Sequence, residues 1–414
     1  GLYCMHMVCA DNVELFDNKM FLISVNEATR MDPSERHLLE IGYEAAANAG
    51  LTKKKLMNSD CGVYVAWMSE FSSVEDRGMG ANRLNFCLGC KGPSLACDLE
   101  HASALVAVKI GCSELGQACS QSIIAGCQLN LNPVSWLVHC GAHMLSPAGR
   151  TNCFDALASG FIRGDGLASI YVKKLAAEVD GKDVWDDSGA LLGAIQGAVV
   201  KSQGRTASLR GLDGPCLQEV LAEGIRMAKI APLDIDFVEC DAKANPMHDA
   251  VEVSSLLRAL RPRDAQSEEH LAAGSVKTNV GSAYYAAGLV SLTKLLGIAI
   301  SGAVTPSAHL NQLNPMMELF DSPLTIVQEA HELDTATSFS GVTACGWGGT
   351  NAHVVVWGRV PQDLPTQPAV AADSLCFWPG GGGSLSGGDV PKQAYTIVGT
   401  WSSWTDPQEM EDEG

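Results

Sequence analysis

A chain of 414 residues, 46% of them hydrophobic and 18% charged, can bury a sizeable core, which excludes a largely disordered protein. Its formal net charge of −19 excludes a nucleic-acid surface, which needs clustered Lys and Arg, and speaks against an anionic membrane surface as partner. Fifteen cysteines, an odd count at irregular spacing, do not make a disulfide scaffold; they read as reduced, mostly buried thiols in an intracellular compartment, with cytoplasm and an organelle such as a plastid not separated.

Along the chain, residues 1–5 are not a translation start and carry no basic stretch ahead of an apolar run, so no signal peptide is read there. A helix is predicted over Glu35–Asn48 and a strand over Cys61–Trp67. Between them, Lys53, Lys54 and Lys55 are a local basic exception: either a solvated face or a docking point for an acidic carrier protein. Cys87 and Cys90 form a C-x-x-C, but no second pair completes a zinc site, and neither a metal nor another cofactor is expected. A helix over Ser103–Gly116 and a strand over Ser122–Leu129 follow.

Residues 181–188 are polar and read as a connection between two halves. A second series then runs through Leu191–Val200, a helix at Cys216–Ala228, a strand at Asp236–Cys240 and helices at Ala250–Leu260 and Ala286–Ile300. Arg258, Arg261 and Arg263 are the other basic group, open to the same two readings as the lysines. The most apolar stretch, Ala286 to Val304, is interrupted by Lys294 and dominated by small residues, so it reads as a core helix and not a membrane span. Alternation of strands and helices favours a layered α/β domain. Residues 361–394, rich in Pro, Gly, Ser and Gln, read as a flexible linker. Residues 395–414 look like the opening strand of a β module, similar to starch-binding-like sandwiches, or an exposed tail.

Five segments in order carry a resemblance. They are Phe16-Asp17 with Met31-Asp32-Pro33 and Arg36-His37-Leu38-Leu39-Glu40; Gly92-Pro93-Ser94-Leu95 leading to Asp98; Met144 to Arg150, Phe154-Asp155-Ala156 and Gly160 to Gly166; Val238-Glu239-Cys240 with Gly274 to Gly281; and Gly346-Trp347-Gly348-Gly349-Thr350-Asn351-Ala352-His353. Together they resemble the β-ketoacyl synthases of modular polyketide and fatty-acid synthases, within the thiolase-like superfamily. The resemblance implies a five-layered αβαβα fold from two similar halves, residues 1–180 and 189–360. It also implies that the chain opens after an apolar strand expected at the centre of the first sheet, whose absence would leave two unpaired edges.

The family's chemistry needs a Cys nucleophile at a strand-to-helix turn and two His donors. Against the pattern G-P-S-x-x-x-D-T-A-C-S-S-S-L, His101 stands at the nucleophile position, and Cys97 lies on the preceding strand. Against E-x-H-G-T-G-T-x-x-G-D-P-x-E, Asp241 replaces the first His; an ionised carboxylate only accepts hydrogen bonds and would repel a developing enolate. Against K-x-N-x-G-H-x-E-x-A-A-G, Ser282 replaces the second His and Tyr284 the acid, so Lys277 is kept but is expected to have lost its charge partner. At a helix N-terminus, His101 is expected to stay neutral because the dipole opposes a cation there. By resemblance, the amides of Trp347 and of the nucleophile position would form the oxyanion hole. Gly346, Gly348 and Gly349 would supply conformations closed to other residues and a close approach to an acyl thioester, and the Trp347 ring, where the family has Phe, could narrow the acyl tunnel.

The leading expectation is a non-condensing ketosynthase homologue, a structural or partner subunit of a polyketide or fatty-acid synthase-like assembly. Its partner would be an identical chain or an active ketosynthase-like chain, paired through the edge around Leu95–Leu99, with an acyl carrier protein as a further partner. One rival is an acyl-thioester hydrolase, decarboxylase or acyltransferase using His101 beside Glu100 and Asp241. The other is a scaffold recruited to an unrelated complex.

Overall fold

The fold is seen in a computed structural model that describes residues 2–69, 79–179, 182–185, 191–262, 270–333, 335–359, 374–377, 383–385, 396–397 and 408–409. In the first half the elements are α1 (Pro33–Asn48), β1 (Gly62–Ala66), α2 (Met79–Leu88), β2 (Ser94–Cys97), α3 (Ser103–Glu114), β3 (Gln121–Gln128), α4 (Pro133–Gly141) and β4 (Gly166–Lys173). The second half has β5 (Ala194–Ser202), α5 (Gly214–Ala228), β6 (Ile235–Glu239), α6 (Pro246–Leu260), β7 (Leu271–Gly274), α7 (Ala287–Ser301), β8 (Leu324–Ile326), β9 (Thr337–Cys345) and β10 (Thr350–Arg359). Each predicted element forms, with its ends moved by a few residues. The largest shift, α6 beginning at Pro246 instead of Ala250, has a local cause. Asn245 accepts from the amides of Met247 and His248, and Pro246 sits in the first turn, where no amide is needed.

Two mixed sheets follow, in the orders β2-β1-β3-β4 and β8-β7-β6-β9-β10-β5. β1 runs parallel to both β2 and β3, and β4 returns antiparallel to β3. The second sheet repeats the scheme: β6 is parallel to β7 and β9, and β10 is antiparallel to β9. Helices α1 and α2 cover one face of the first sheet, and α5 and α6 cover the outer face of the second. Between the sheets lie α3 and α7, whose Leu105, Val108, Leu289, Leu292 and Ile298 share one cluster with Ile124, Val342 and Val354. This is a five-layered αβαβα arrangement. Tyr284–Ser301, which is α7 with the turn ahead of it, is long and apolar enough to cross a membrane by composition, but here α7 is part of the central layer, packed on both sheets. The fully buried run of β1 follows from being covered on both faces.

Several expectations are corrected. The first sheet has no central gap, since β1 is hydrogen-bonded on both sides. The duplicated scheme shows why: the second sheet carries β5 outside β10, at its margin, so the corresponding place in the first sheet is beside β4. Lys53 is not a free docking cation, because its ammonium donates to the Met20 carbonyl and lies 4.9 Å from the Phe21 ring centroid. Arg261 is buried and donates to the carbonyls of Pro232, Leu260 and Ile235, which makes it a tie inside the second half. Arg263 lies outside the described residues. Around the polar connection, Ala176–Val179 pairs antiparallel with Lys182–Trp185. Within 361–394, Ser374–Cys376 pairs with Gly383–Leu385, and Phe377 stacks on Phe21 at 6.0 Å. The rest of that segment lies outside the described residues, as does most of 395–414, where Thr396–Ile397 pairs with Gln408–Glu409.

Candidate active site

Both central helices begin with a 3-10 turn, Glu100–Ala102 ahead of α3 and Tyr284–Ala286 ahead of α7. Each turn has a residue in the left-handed region, Glu100 at φ +56° and Tyr284 at φ +39°. Non-glycine residues adopt this region at a cost and are held there by their surroundings. At the first turn the hold is Ser103, whose hydroxyl donates to the Glu100 carbonyl at 2.7 Å and accepts from the Leu99 amide at 2.7 Å. The sharp turn sends His101 inward, toward the second half.

The structure brings His101, Asp241, Ser282 and Lys277 together. His101 is fully buried, with Nε2 2.9 Å from Ser282 Oγ. Its ring meets Tyr284, Phe161 and Trp347 edge-on, at centroid distances of 4.6, 5.6 and 6.2 Å. Nδ1 finds no hydrogen-bond partner among the described residues. Burial, followed by the ammoniums of Lys243 and Lys277, holds the imidazole pKa well below its usual value. The expected neutral state therefore has burial as its main cause.

Asp241 and Lys277 correct the sequence reading most directly. Lys277 has not lost its charge partner: its Nζ lies 2.6 Å from Asp241 Oδ1 and also donates to the Asp241 carbonyl. A second ammonium, Lys243 Nζ, lies 3.3 Å from Asp241 Oδ2 and 4.0 Å from the Trp347 ring centroid, and donates to the Cys345 carbonyl. Burial pushes the Asp241 carboxyl up, but Lys277 and Lys243 outweigh it and hold the group well below the usual carboxylate range. Burial likewise pushes Lys277 down, and Asp241 overrides that and keeps it protonated. The carboxylate at the position of a histidine thus pairs with the lysine of the family pattern and with a new one, Lys243, at the position where the quoted pattern has Thr.

Acidic groups frame this pair. Glu252 accepts from the amides of Asp241 and Ala242 and from the Thr343 hydroxyl at 2.7–2.9 Å. Asp249 accepts from the amides of Phe154 and Lys243, and burial raises it to about 7. Lys294 meets Glu239 at 2.8 Å. Lys243, Glu252 and Asp249 are site residues that the sequence reading did not assign, although all three lie inside the quoted pattern. Lys243 was the available signal, since a lysine two positions after Asp241, in a run of small residues, needs a buried carboxylate. Asp241, His248 and Cys345 bring ligand-type atoms within 4.8 Å of one another. Two ammoniums already occupy the charge of Asp241, so this set is a poor host for a cation.

The Gly-rich turn is also altered. The Trp347 amide, expected as an oxyanion donor, donates instead to the Glu100 carboxylate. Gly346 permits that approach, because a Cβ there would lie 2.8 Å from the Leu99 carbonyl oxygen. Gly349 has φ +87°, a conformation that favours glycine. Gly348 shows neither need: its φ is not in the left-handed region, and a Cβ would meet open space.

Residues 2–178 match the N-terminal domain of β-ketoacyl synthases, and residues 192–311 match their C-terminal domain. The chain belongs to the β-ketoacyl synthase family. It is 33% identical, over 87% of its length, to one of the phenolphthiocerol/phthiocerol polyketide synthase proteins of Mycobacterium tuberculosis, of which it covers 20%. To another protein of that synthase, from the same species, it is 31% identical over 82% of its length, and it covers 16% of that relative. The chain therefore spans about a fifth of the length of these curated relatives. Among solved structures, it is similar to the ketosynthase from module 6 of the bacillaene synthase of Bacillus subtilis 168. The TM-score is 0.81 at 28% identity, covering 87% of this chain and 64% of that one. An oxazolomycin ketosynthase domain from Streptomyces albus JA3453 gives 0.77 at 27% identity, covering 85% and 64%. The fold is thus thiolase-like.

Proposed function

We propose that this chain is a non-condensing ketosynthase-family protein that acts as a structural or partner subunit in a polyketide or fatty-acid synthase-like assembly. The observation that carries the reading is the closed set at the three substituted positions. His101 is bonded to Ser282, Asp241 is spent on Lys277 and Lys243, and the Trp347 amide is spent on Glu100. Condensation by this family needs a thiolate to carry the acyl chain and donors free for a developing oxyanion. At these positions there is an imidazole, a carboxylate that can only accept, and an amide already engaged.

The partner surface is β2, the outer strand of the first sheet, with the residues just after it: Leu95 in the strand is 45% exposed and Leu99 beyond it 39%. An apolar outer strand is an aggregation hazard unless paired, and a second ketosynthase-like chain, identical or active, is the partner whose edge matches it. The test of the non-condensing role is incubation with an acyl thioester of a carrier protein, followed by intact-mass measurement. The expected result is no adduct. A stable acyl adduct refutes the reading.

A second reading, acyl-thioester hydrolysis, rests on the 2.9 Å Ser282–His101 contact, which has the form of a nucleophile and its base. It is weakened by the depressed imidazole, the engaged Trp347 amide and the burial of both side chains. Labelling of Ser282 by a fluorophosphonate on the native protein is the result that favours it; labelling only after unfolding is the result that removes it.

A further inference from the structure

We propose that the segment around Leu375 and Phe377 is an intramolecular strap, a hairpin that follows the second half in sequence but anchors on the outer side of the first half. Residues 361–394 are rich in Pro, Gly, Ser and Gln, a composition that buries little by itself. Within them, Leu375-Cys376-Phe377-Trp378 is a compact apolar run that holds both aromatic residues of the segment. A short apolar anchor inside a polar segment is the pattern of a stretch that orders by docking, and not of a spacer.

The run is seated on the first half. Ser374–Cys376 pairs antiparallel with Gly383–Leu385, with Leu375 opposite Ser384. Alternation along a strand puts Leu375 and Phe377 on one face. Both pack against the cluster that holds Phe16, Phe21, Leu39 and Tyr43. Phe377 stacks on Phe21 with ring centroids 6.0 Å apart and planes at 21°, and Phe16 stacks on Phe21 at 5.6 Å and 8°. Rings at such spacings attract each other beyond the area they bury. Lys53 Nζ, 4.9 Å from the Phe21 centroid and 5.8 Å from that of Tyr43, adds its charge to the same group of rings.

A hairpin of two short strands is not stable alone in water, so the order of this one comes from its seat. Phe21 is 3% exposed with Phe377 stacked on it, while Leu22 and Val25 beside it are 92% and 66% exposed. Loss of Phe377 would add the Phe21 ring to a surface that is already apolar.

The consequence is positional. β10 ends at Arg359 in the second half, and residues 360–373 can reach ~50 Å when fully extended, enough to cross to the other half. The strap ties the two halves by a route separate from the central layer of α3 and α7. It also sets the point from which the chain continues after Leu385, on the outer side of the first half and not at the end of β10. The Phe16–Phe21 surface is thereby covered by the chain's own segment and closed to other apolar partners.

The test places p-benzoylphenylalanine at position 377 of the full chain, irradiates it at low protein concentration and maps the crosslinked peptides. The expected result is a crosslink within one chain to residues 16–23 or to Lys53. Hydrogen exchange on the wild-type protein is the second measurement, and it holds even if a variant fails to fold. Residues 374–385 are expected to exchange more slowly than unstructured peptide. Phe377→Ala is expected to speed exchange there and at the Leu22 and Ile23 amides, which donate to Lys19 and Asn18 carbonyls, and to leave β6 unchanged. The expected factor is about two- to tenfold, the range that one aromatic pair supplies. The proposal is overturned by crosslinks that miss the first half, by crosslinks formed only between two chains, by wild-type exchange over 374–385 at the rate of unstructured peptide, or by a Phe377→Ala protein whose exchange at Leu22 and Ile23 is unchanged.

Discussion

Replacing Asp241 by His, the residue of the family pattern, is expected to damage this protein and not to repair it. Asp241 pairs with Lys277 at 2.6 Å and Lys243 at 3.3 Å, with all three side chains buried. Asp241→His removes the carboxylate and leaves two ammoniums without their counter-charge. Removing one partner of a buried ion pair costs ~3–5 kcal/mol, against ~0–1 kcal/mol for a surface pair. Against a total stability of ~5–15 kcal/mol for a folded domain, that loss is a large fraction. The assay is urea unfolding followed by intrinsic fluorescence, with the midpoint compared at unchanged slope.

A second substitution separates this cause from simple overpacking by the imidazole. Lys243→Thr restores the pattern residue and removes one of the stranded ammoniums. The double variant Asp241→His/Lys243→Thr is expected to be more stable than Asp241→His alone, with a coupling of ~0.5–3 kcal/mol. An Asp241→His protein within ~1 kcal/mol of wild type, or one indifferent to Lys243→Thr, refutes the role given to the Asp241 carboxylate.

Three further outcomes are expected. His101→Cys alone does not restore condensation, because each missing oxyanion donor costs ~2.7–4 kcal/mol of transition-state stabilisation; β-keto product at an ordinary ketosynthase rate would show that the two lost histidines are not needed. Burial lowers the His353 pKa to about 4, below that of the unfolded chain, so the unfolded state binds more protons between about 6.5 and about 4 and acidification through that window destabilises the protein. His353→Asn should flatten the fall in stability there by up to ~1.4 kcal/mol per pH unit in urea titrations, and an unchanged slope would mean that the ring is not buried neutral. Leu95→Lys places a charge on the exposed β2 edge and should convert a dimer to a monomer in sedimentation; a monomer in both forms argues against pairing through β2.

The fold was legible because its signals are local and repeated. The helices at Pro33–Asn48 and Gly214–Ala228 carry caps and prolines that the chain itself displays, and strands such as Gly62–Ala66 are short apolar runs bounded by polar ones. The place of the strand expected before residue 1 was misread because strand order within a sheet is set by tertiary packing. It became visible only through the duplication that puts β5 beside β10.

At the site, the spacing of the three substituted positions was readable from flanking motifs. Their partners were not. Lys277 was expected to be unpaired because Tyr284 stands where the family pattern has an acid, yet the compensating carboxylate is Asp241, 36 positions away in sequence. Glu100 was read as a neighbour of His101, but the positive φ of that residue sends its carboxylate across to the Trp347 amide. Contacts between the two halves depend on how the two 3-10 turns face each other, and no periodicity within either half encodes that.

The most direct measurement is decarboxylative condensation itself. The full chain, alone and mixed with an active ketosynthase, is given acyl and malonyl thioesters of a carrier protein, and β-keto product is followed by mass. With the chain alone, no product above the enzyme-free control is the expected result. Product formed by the chain alone, and lost on replacing His101 or Ser282 by Ala, would contradict the claim that this ketosynthase fold has given up condensation.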